Sequence, residues 1–383
     1  MNSALPFAHL RVLELASVLA GPQVGQFFAE LGAEVLKVES PAGDVTRTWK
    51  TSAETPAADA AEASSVSAYF SASNWGKSSR VLDLTTAAGQ ASLYQLAAQV
   101  DIVLVSYKPG DAEKLRADYV TLSAENPRLI YGHLTGYGPD NARAGYDAVL
   151  QAEAGFMHLN AAGPGLPPQK MPVAMVDLMA AHQLKEGLLT ALFQRERTGR
   201  GALVQVSLLD SALASLANQA ATYLVTGHDP QPLGSGHPSI VPYGTVYGAA
   251  NGRQLVLAVG SDGQFRHLCA ALLREELATD VCFATNAARV AHRAELEEVL
   301  AACIAAVNGD DLLAELARRG VPAGAVRTVE EALAHPSARP MRLPALGAGP
   351  AGLRTVAFRS PAWPEVPALG APPALGGASG SGI

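Results

Sequence analysis

Apolar positions in the first third of the chain fall into five dense runs, at 10–15, 33–39, 80–84, 101–107 and 128–136 ("LRVLEL", "AEVLKVE", "RVLDL", "DIVLVSY", "RLIYGHLTG"). Each is short, rich in Val, Leu and Ile, and bounded by glycine or polar residues, as strands buried on both faces are. Between them "PQVGQFFAELG", "TAAGQASLYQLAAQV" and "DAEKLRADYVTLSAENP" space their apolar residues at helical intervals. The alternation predicts an α/β unit with a doubly wound, Rossmann-like parallel sheet. Between the second and third strands, the Ala/Ser-rich stretch 51–68 reads as a mobile surface insertion. The first turn, "ASVLAGPQVG", lacks the GxGxxG fingerprint and carries Pro22 where a dinucleotide needs an approachable backbone. Nicotinamide and flavin are therefore disfavoured, although another ligand could use the same crevice.

A second pattern follows in "KMPVAMVDLMAAHQLKEGLLTALFQRERTGRG", residues 170–201. It reads as a short apolar run and then a long helix ending at Gly199, with one carboxylate, Asp177, at the entry. Two readings of Asp177 are open. It is an N-cap, accepting from the first free backbone N–H groups, or it is a carboxylate kept ionised by the helix N-terminus and so a nucleophile. Position does not decide between them, because "VQVSLLDSALASLANQAA" sets Asp210 ahead of another apolar helix in nearly the same way.

After Thr226 the text changes to Gly and Pro in "TGHDPQPLGSGHPSIVPYG", a long loop. A smaller α+β domain then opens with two β-like runs around Asn251 and Gly252, the signature of a hairpin, followed by the helical stretches "DGQFRHLCAALL" and "RAELEEVLAACIAAV". The tail is Pro/Gly-rich and extended. The expected layout is a large domain over 1–220, a small one over 221–328 and a segment, 329–383, returning to the large domain.

Composition narrows the chemistry. With 383 residues, 49% hydrophobic, the chain fills more than one core. A net charge of −7 and the lack of a basic run argue against nucleic acid or an anionic membrane surface as partner, so an anionic ligand must be held locally. Cys269, Cys282 and Cys303 show no metal-site spacing and are expected as reduced packing residues; no metal is expected. The N-terminal apolar segment is broken by Arg11 and Glu14, unlike a signal peptide. No apolar run reaches the length of about eighteen residues that spans a bilayer. The expected location is cytoplasmic.

Six segments in order, "LRVLELASVLAGPQVGQFFAELGAEVLKVESPAGDVTR", "NWGKSSRVLDL", "DIVLVSYKPG", "NPRLIYGHLTGYGPDNARAGYDAVLQAEAGFM", "PVAMVDLMAAHQLKEGLLTALFQRERTGRGALVQVSLLDSAL" and "GVPAGAVRTVEEALAHP", resemble the class III coenzyme A transferase family (CaiB/BaiF type). The resemblance runs almost end to end. It implies a transferase moving CoA between an acyl-CoA and a carboxylic acid, with no cofactor beyond CoA as substrate and with Asp177 as the catalytic carboxylate. It further implies that Leu19, Ala20, Ser40, Ser106, Tyr107, Lys108 and Lys114 line a CoA crevice, with Asn74 and Lys77 nearby. Oxyanion donors are expected from Leu19 and Ala20 and from the loop carrying Gly234, Gly236 and His237, which lacks the glycine run of several relatives. Ser40 and Trp75 stand where some relatives carry basic residues.

The racemase branch of this family places a histidine before the aspartate of a "GHD" triplet. Here the triplet reads "GYD", with Tyr146 in that place and Asp147 as a second acid near the active site, read either as orienting substrate or as a helix-capping or buried structural residue, and "VGSDGQF" replaces the branch's glutamate. A racemase and a non-catalytic acyl-CoA-binding protein are the alternatives. The loop "GHPSIVPYG" resembles the branch that handles short dicarboxylic acyl groups. The family also implies a homodimer of interlocked chains.

Overall fold

The computed structural model describes residues 5–54, 66–343, 351–364 and 368–377. Residues 55–65, most of the expected insertion, lie outside that set. The chain divides into two compact units: 1–154, 172–221 and 339–383 form the first, and 155–171 with 222–338 form the second. The return to the first unit thus begins at 339 rather than 329, and 155–171 groups with the second unit.

The first unit is built on a six-stranded sheet of β1 (Arg11–Glu14), β2 (Glu34–Glu39), β3 (Ser78–Val81), β4 (Ile102–Val105), β5 (Ile130–Thr135) and β6 (Ala202–Ser207). The strands run in the order β3-β2-β1-β4-β5-β6, and every pairing is parallel. β4 is buried along its whole length, as a central strand covered on both faces must be. One face packs Leu13, Leu36, Val103 and Tyr131 against Leu93, Leu96 and Leu122 of the following helices. The other is covered by α1 (Ala20–Glu30) and by the long helix Met175–Thr198. That helix lies close enough for Leu184 and Leu188 to sit 3.2 Å from where a side chain on Gly132 would begin.

Two sequence expectations change here. The single helix expected over 111–127 is two, Asp111–Lys114 and Tyr119–Glu125, because Arg116 takes φ +54° and Asp118 caps the second helix through the Thr121 N–H. The sixth strand, not expected at all, is an edge strand that alternates half-buried and exposed residues.

The described tail lies on the first unit. Gln26 donates to Leu353 O, the Glu30 carboxylate accepts from Thr355 and Val356 N–H, and Gly76 N–H donates to Gly370 O. Trp75, fully buried, packs with Leu343 and Leu369 under this wrap, which is what occupies the place of a basic residue.

The second unit carries an antiparallel sheet of β7 (Tyr243–Gly248), β8 (Gln254–Ala258) and β9 (Ala323–Ala325). Gly252, at φ +77°, turns the hairpin. Leu255, Leu257, Phe265, Leu296, Leu300 and Leu316 fill its core. The three cysteines are free thiols. No helix among the described residues is long and apolar enough to cross a membrane.

Candidate active site

The strand order places a topological switch point between β1 and β4, where loops leave in opposite directions and open a crevice at the carboxyl ends of the strands. A cavity of about 180 Å³ lies there, lined by Ser17–Ala20 after β1, Ser106–Pro109 after β4, Leu134 and Thr135 at the end of β5 with Gly136 after it, and by Arg143–Tyr146, Asp177 and Leu208. Of the expected residues, the structure brings together Leu19, Ala20, Ser106, Tyr107, Lys108, Tyr146 and Asp177 at this cavity.

Asp177 is the third residue of the long helix, not its cap. The cap position is Ala174, whose side chain supplies nothing. The capping bond comes from Asp147 instead: its Oδ1 accepts the Val176 N–H at 2.9 Å while Oδ2 accepts from Gln151 Nε2 at 2.8 Å. Relieved of that task, the Asp177 carboxylate has no hydrogen-bond partner among the described residues and is 8% exposed, at the cavity. Asp210 shows the opposite state at the same helical position. It is also the third residue of its helix, Leu208–Ala214, but Ser207 Oγ accepts its N–H and donates to its Oδ2 at 2.7 Å.

The expected effect of the helix terminus, to keep Asp177 ionised, is opposed by its surroundings. Burial, with the Asp147 charge second, pushes its carboxyl up to about 7; together they outweigh the favourable dipole.

Lysines diverge. Lys108 is exposed at the cavity. Lys114 is exposed, pairs with Asp111 at 2.8 Å and does not line the cavity, nor does Ser40, exposed just beyond the end of β2. Asn74 and Lys77 are buried beneath the first turn: the Lys77 ammonium bonds both Glu14 oxygens, Asn74 Oδ1 and Pro22 O at 2.8–2.9 Å. All its donors are taken internally, so it presents none to a phosphate.

Gly234, Gly236 and His237 belong to the second unit. Gly234 takes φ +59°. The N–H groups of Gly236 and His237 are committed to Leu233 O and Tyr243 O, at 3.0 and 2.9 Å. These two backbone groups are therefore unavailable to an oxyanion. His237 Nδ1 accepts from Ser239 N–H, which assigns the ring proton to Nε2.

Three features escaped the sequence. Arg143 lines the cavity with its guanidinium 4.3 Å over the Tyr137 ring and paired to Glu153 at 2.6 Å. The loop carrying it is pinched shut by Gly136 and Gly145, where a Cβ on Gly145 would fall 2.3 Å from Gly136 Cα. Val18 sits at φ +72° in the turn after β1, with its N–H directed at Asp44. Only the Gly136–Gly145 pair, flanking "YGPDNARA", carried a readable signal.

The CoA-transferase family III model matches residues 7–378. The chain is 40% identical over 340 residues to the succinate–glutarate CoA-transferase of Agrobacterium fabrum, covering 88% of this chain and 83% of that one. It is 33% identical over 340 residues to the human succinyl-CoA:glutarate CoA-transferase, covering 88% and 75%. A CAIB/BAIF family protein from Brucella suis superposes with a TM-score of 0.85 at 39% identity, over 98% of this chain and 97% of that one. Matched in sequence and in fold from end to end, the chain belongs to CoA-transferase family III.

Proposed function

We propose that the protein transfers CoA from a short dicarboxylic acyl-CoA, succinyl-CoA foremost, to a carboxylic acid, with Asp177 as nucleophile. The observation that carries this is the Asp177 carboxylate, buried at the cavity with its capping task done by Asp147. The names of the Agrobacterium and human relatives support the donor. One Asp177 oxygen attacks the thioester carbonyl, the C–S bond breaks, and CoA leaves as thiolate from a mixed aspartyl anhydride. The thiolate attacks the aspartyl carbonyl, freeing the donor acid and leaving an aspartyl-CoA thioester. The acceptor carboxylate attacks that thioester, forming a second anhydride and releasing thiolate again. Thiolate attack on the acceptor acyl carbon then yields product and restores Asp177. No proton changes hands, so no general acid is needed.

CoA takes the crevice along Leu19, Ala20, Ser106 and Tyr107, with Lys108 as its local cation. The direct test is to offer free acids to the enzyme with succinyl-CoA and read the masses of the new CoA thioesters. Formation of none, with a well-folded enzyme and a panel of mono- and dicarboxylates, overturns the assignment.

Ionisation of Asp177 sets a pH dependence. Since its carboxyl is pushed up to about 7, kcat/KM for the donor is expected to climb with pH and level off above about 7. Initial rates between about pH 5.5 and 9 measure this, and a flat acid limb is the contrary result.

The protein also works as a homodimer in the cytoplasm. Helix Ala217–Thr226 buries none of its residues, leaving Leu224 and Val225 about four-fifths exposed, a face of the kind that a second chain covers. Sedimentation at micromolar concentration is expected to give twice the chain mass; a compact monomer excludes the dimer.

A further inference from the structure

The turn that joins β1 to α1 is held in a conformation its sequence does not favour. Val18, at φ +72°, is β-branched in a region where L side chains crowd the backbone. Side chains secure the turn from beneath at four points. Ser106 Oγ accepts the Ser17 N–H at 3.0 Å, and Asp44 Oδ2 accepts the Val18 N–H at 3.3 Å. The Lys37 ammonium donates to Ala16 O at 2.8 Å, and Lys77 to Pro22 O at 2.9 Å.

Three of those anchors belong to one buried ionic group. Lys37 pairs with Asp44 and Glu14, both at 3.0 Å, and Lys77 pairs with Glu14 at 2.8 Å; the four side chains are at most 1% exposed. Two ammonium groups balance two carboxylates. As mere core filling such a group is poorly chosen, since apolar residues of the same size stabilise a core as well or better. Its hydrogen bonds point to another role: apart from the Thr46 N–H, which Asp44 Oδ1 accepts at 3.0 Å as the cap of Val45–Thr48, those that reach the backbone end on the turn at Ala16, Val18 and Pro22. Just beyond the strained residue, the N–H groups of Leu19 and Ala20 open the helix and have no acceptor among the described residues. Both residues line the cavity with Asp177.

We propose that Asp44, backed by Lys37, Glu14 and Lys77, is a positioning residue that holds Val18 in the left-handed conformation and so aims the Leu19 and Ala20 N–H groups at the oxyanion formed when Asp177 attacks. This rests on the transfer mechanism above. Donors fixed before the reaction stabilise a developing oxyanion without reorganising; a turn free to relax from φ +72° would lose that advantage. Asp44 touches no reacting atom; it reaches the turn through the Val18 N–H, and its second backbone bond, from the Thr46 N–H, caps Val45–Thr48.

The test measures the factor by which Asp44→Asn lowers kcat in two backgrounds, the parent and Val18→Gly. In the parent the substitution is expected to lower kcat by about tenfold or more, with the KM for succinyl-CoA moving less than about threefold. In the Val18→Gly background the factor shrinks to about threefold or less, because glycine occupies positive φ without an anchor. A purely structural role gives equal factors in both backgrounds, or a loss confined to stability, and either overturns the proposal. Asp44→Glu, which keeps the charge and shifts the acceptor by one methylene, is run through the same cycle. If Asp44→Asn does not fold, the glutamate variant's factor decides in its place. Failure of the nucleophile reading is separate: hydroxylamine trapping of the parent enzyme with donor alone reports on Asp177, whatever the cycle gives.

Discussion

Asp177→Asn is expected to abolish CoA transfer and stabilise the protein. The amide has no anionic oxygen to attack a thioester, so activity should fall by several orders of magnitude while succinyl-CoA still binds. Stability moves the other way because Asp177 is a buried acid whose carboxyl rises from an ordinary 3.8 to about 7 on folding. Between those values the unfolded chain has released its proton and the folded chain retains it, so stability falls as pH rises from about 4 to about 7 and stays reduced above. An asparagine removes that term. Above about pH 7 the variant should therefore be more stable by roughly 1–4 kcal/mol, and below about pH 4 the two should converge. Thermal melts across pH measure one half of the prediction, and mass-mapped hydroxamate formation with hydroxylamine measures the other, being expected at Asp177 in the parent. Asp210→Asn is the matched control: same helical position, a cost of about 1 kcal/mol from the weakened Ser207 pair, and transfer retained. Near-normal transfer by Asp177→Asn, or a hydroxamate mapped elsewhere, removes Asp177 from the chemistry.

A second large effect is expected at Lys77. Lys77→Met leaves the Glu14 carboxylate, buried and 0% exposed, with Lys37 as its only remaining cation among its described partners. Breaking one member of a buried ionic group costs roughly 3–5 kcal/mol, which should appear as a clear drop in the urea midpoint. Replacing Glu14 by Leu in the same protein removes the stranded charge and should recover part of the loss. A variant as stable as the parent but with a raised KM for succinyl-CoA would return this ammonium to the ligand.

The contrast between Lys77 and Lys108 marks where the sequence could be read and where it could not. Strands β1, β2, β4 and β5 were legible because both faces are buried, which writes an unbroken apolar run. β3 was placed within a few residues, and β6 was not legible because an edge strand needs only one apolar face. Strand order depends on register between distant segments and leaves no local trace. Likewise a lysine reads as solvated unless its partner is known, and the partner of Lys77 lies 63 residues away at Glu14. The place of Asp177 at the entry of a long helix was legible from the apolar pattern, whereas its choice over Asp210 came from family resemblance alone. Its freedom from capping was not legible, since that depends on Asp147, whose bond to Val176 spans 29 positions.

The pinched loop between Gly136 and Gly145 has a consequence for redesign. Its two stems meet as bare backbone, Cα against Cα, so the residues between them form a closed ring hung from the cavity wall. The entropy of closing such a ring changes by only about 0.6 kcal/mol for each doubling of its length. Residues 137–144 can therefore be shortened, lengthened or exchanged as a cassette, Arg143 included, while Tyr146 and Asp147 stay in register behind the second stem. Libraries aimed at the cavity wall should vary this ring and leave both glycines untouched, because a methyl group on either would prise the stems apart and carry Asp147 away from the helix of Asp177.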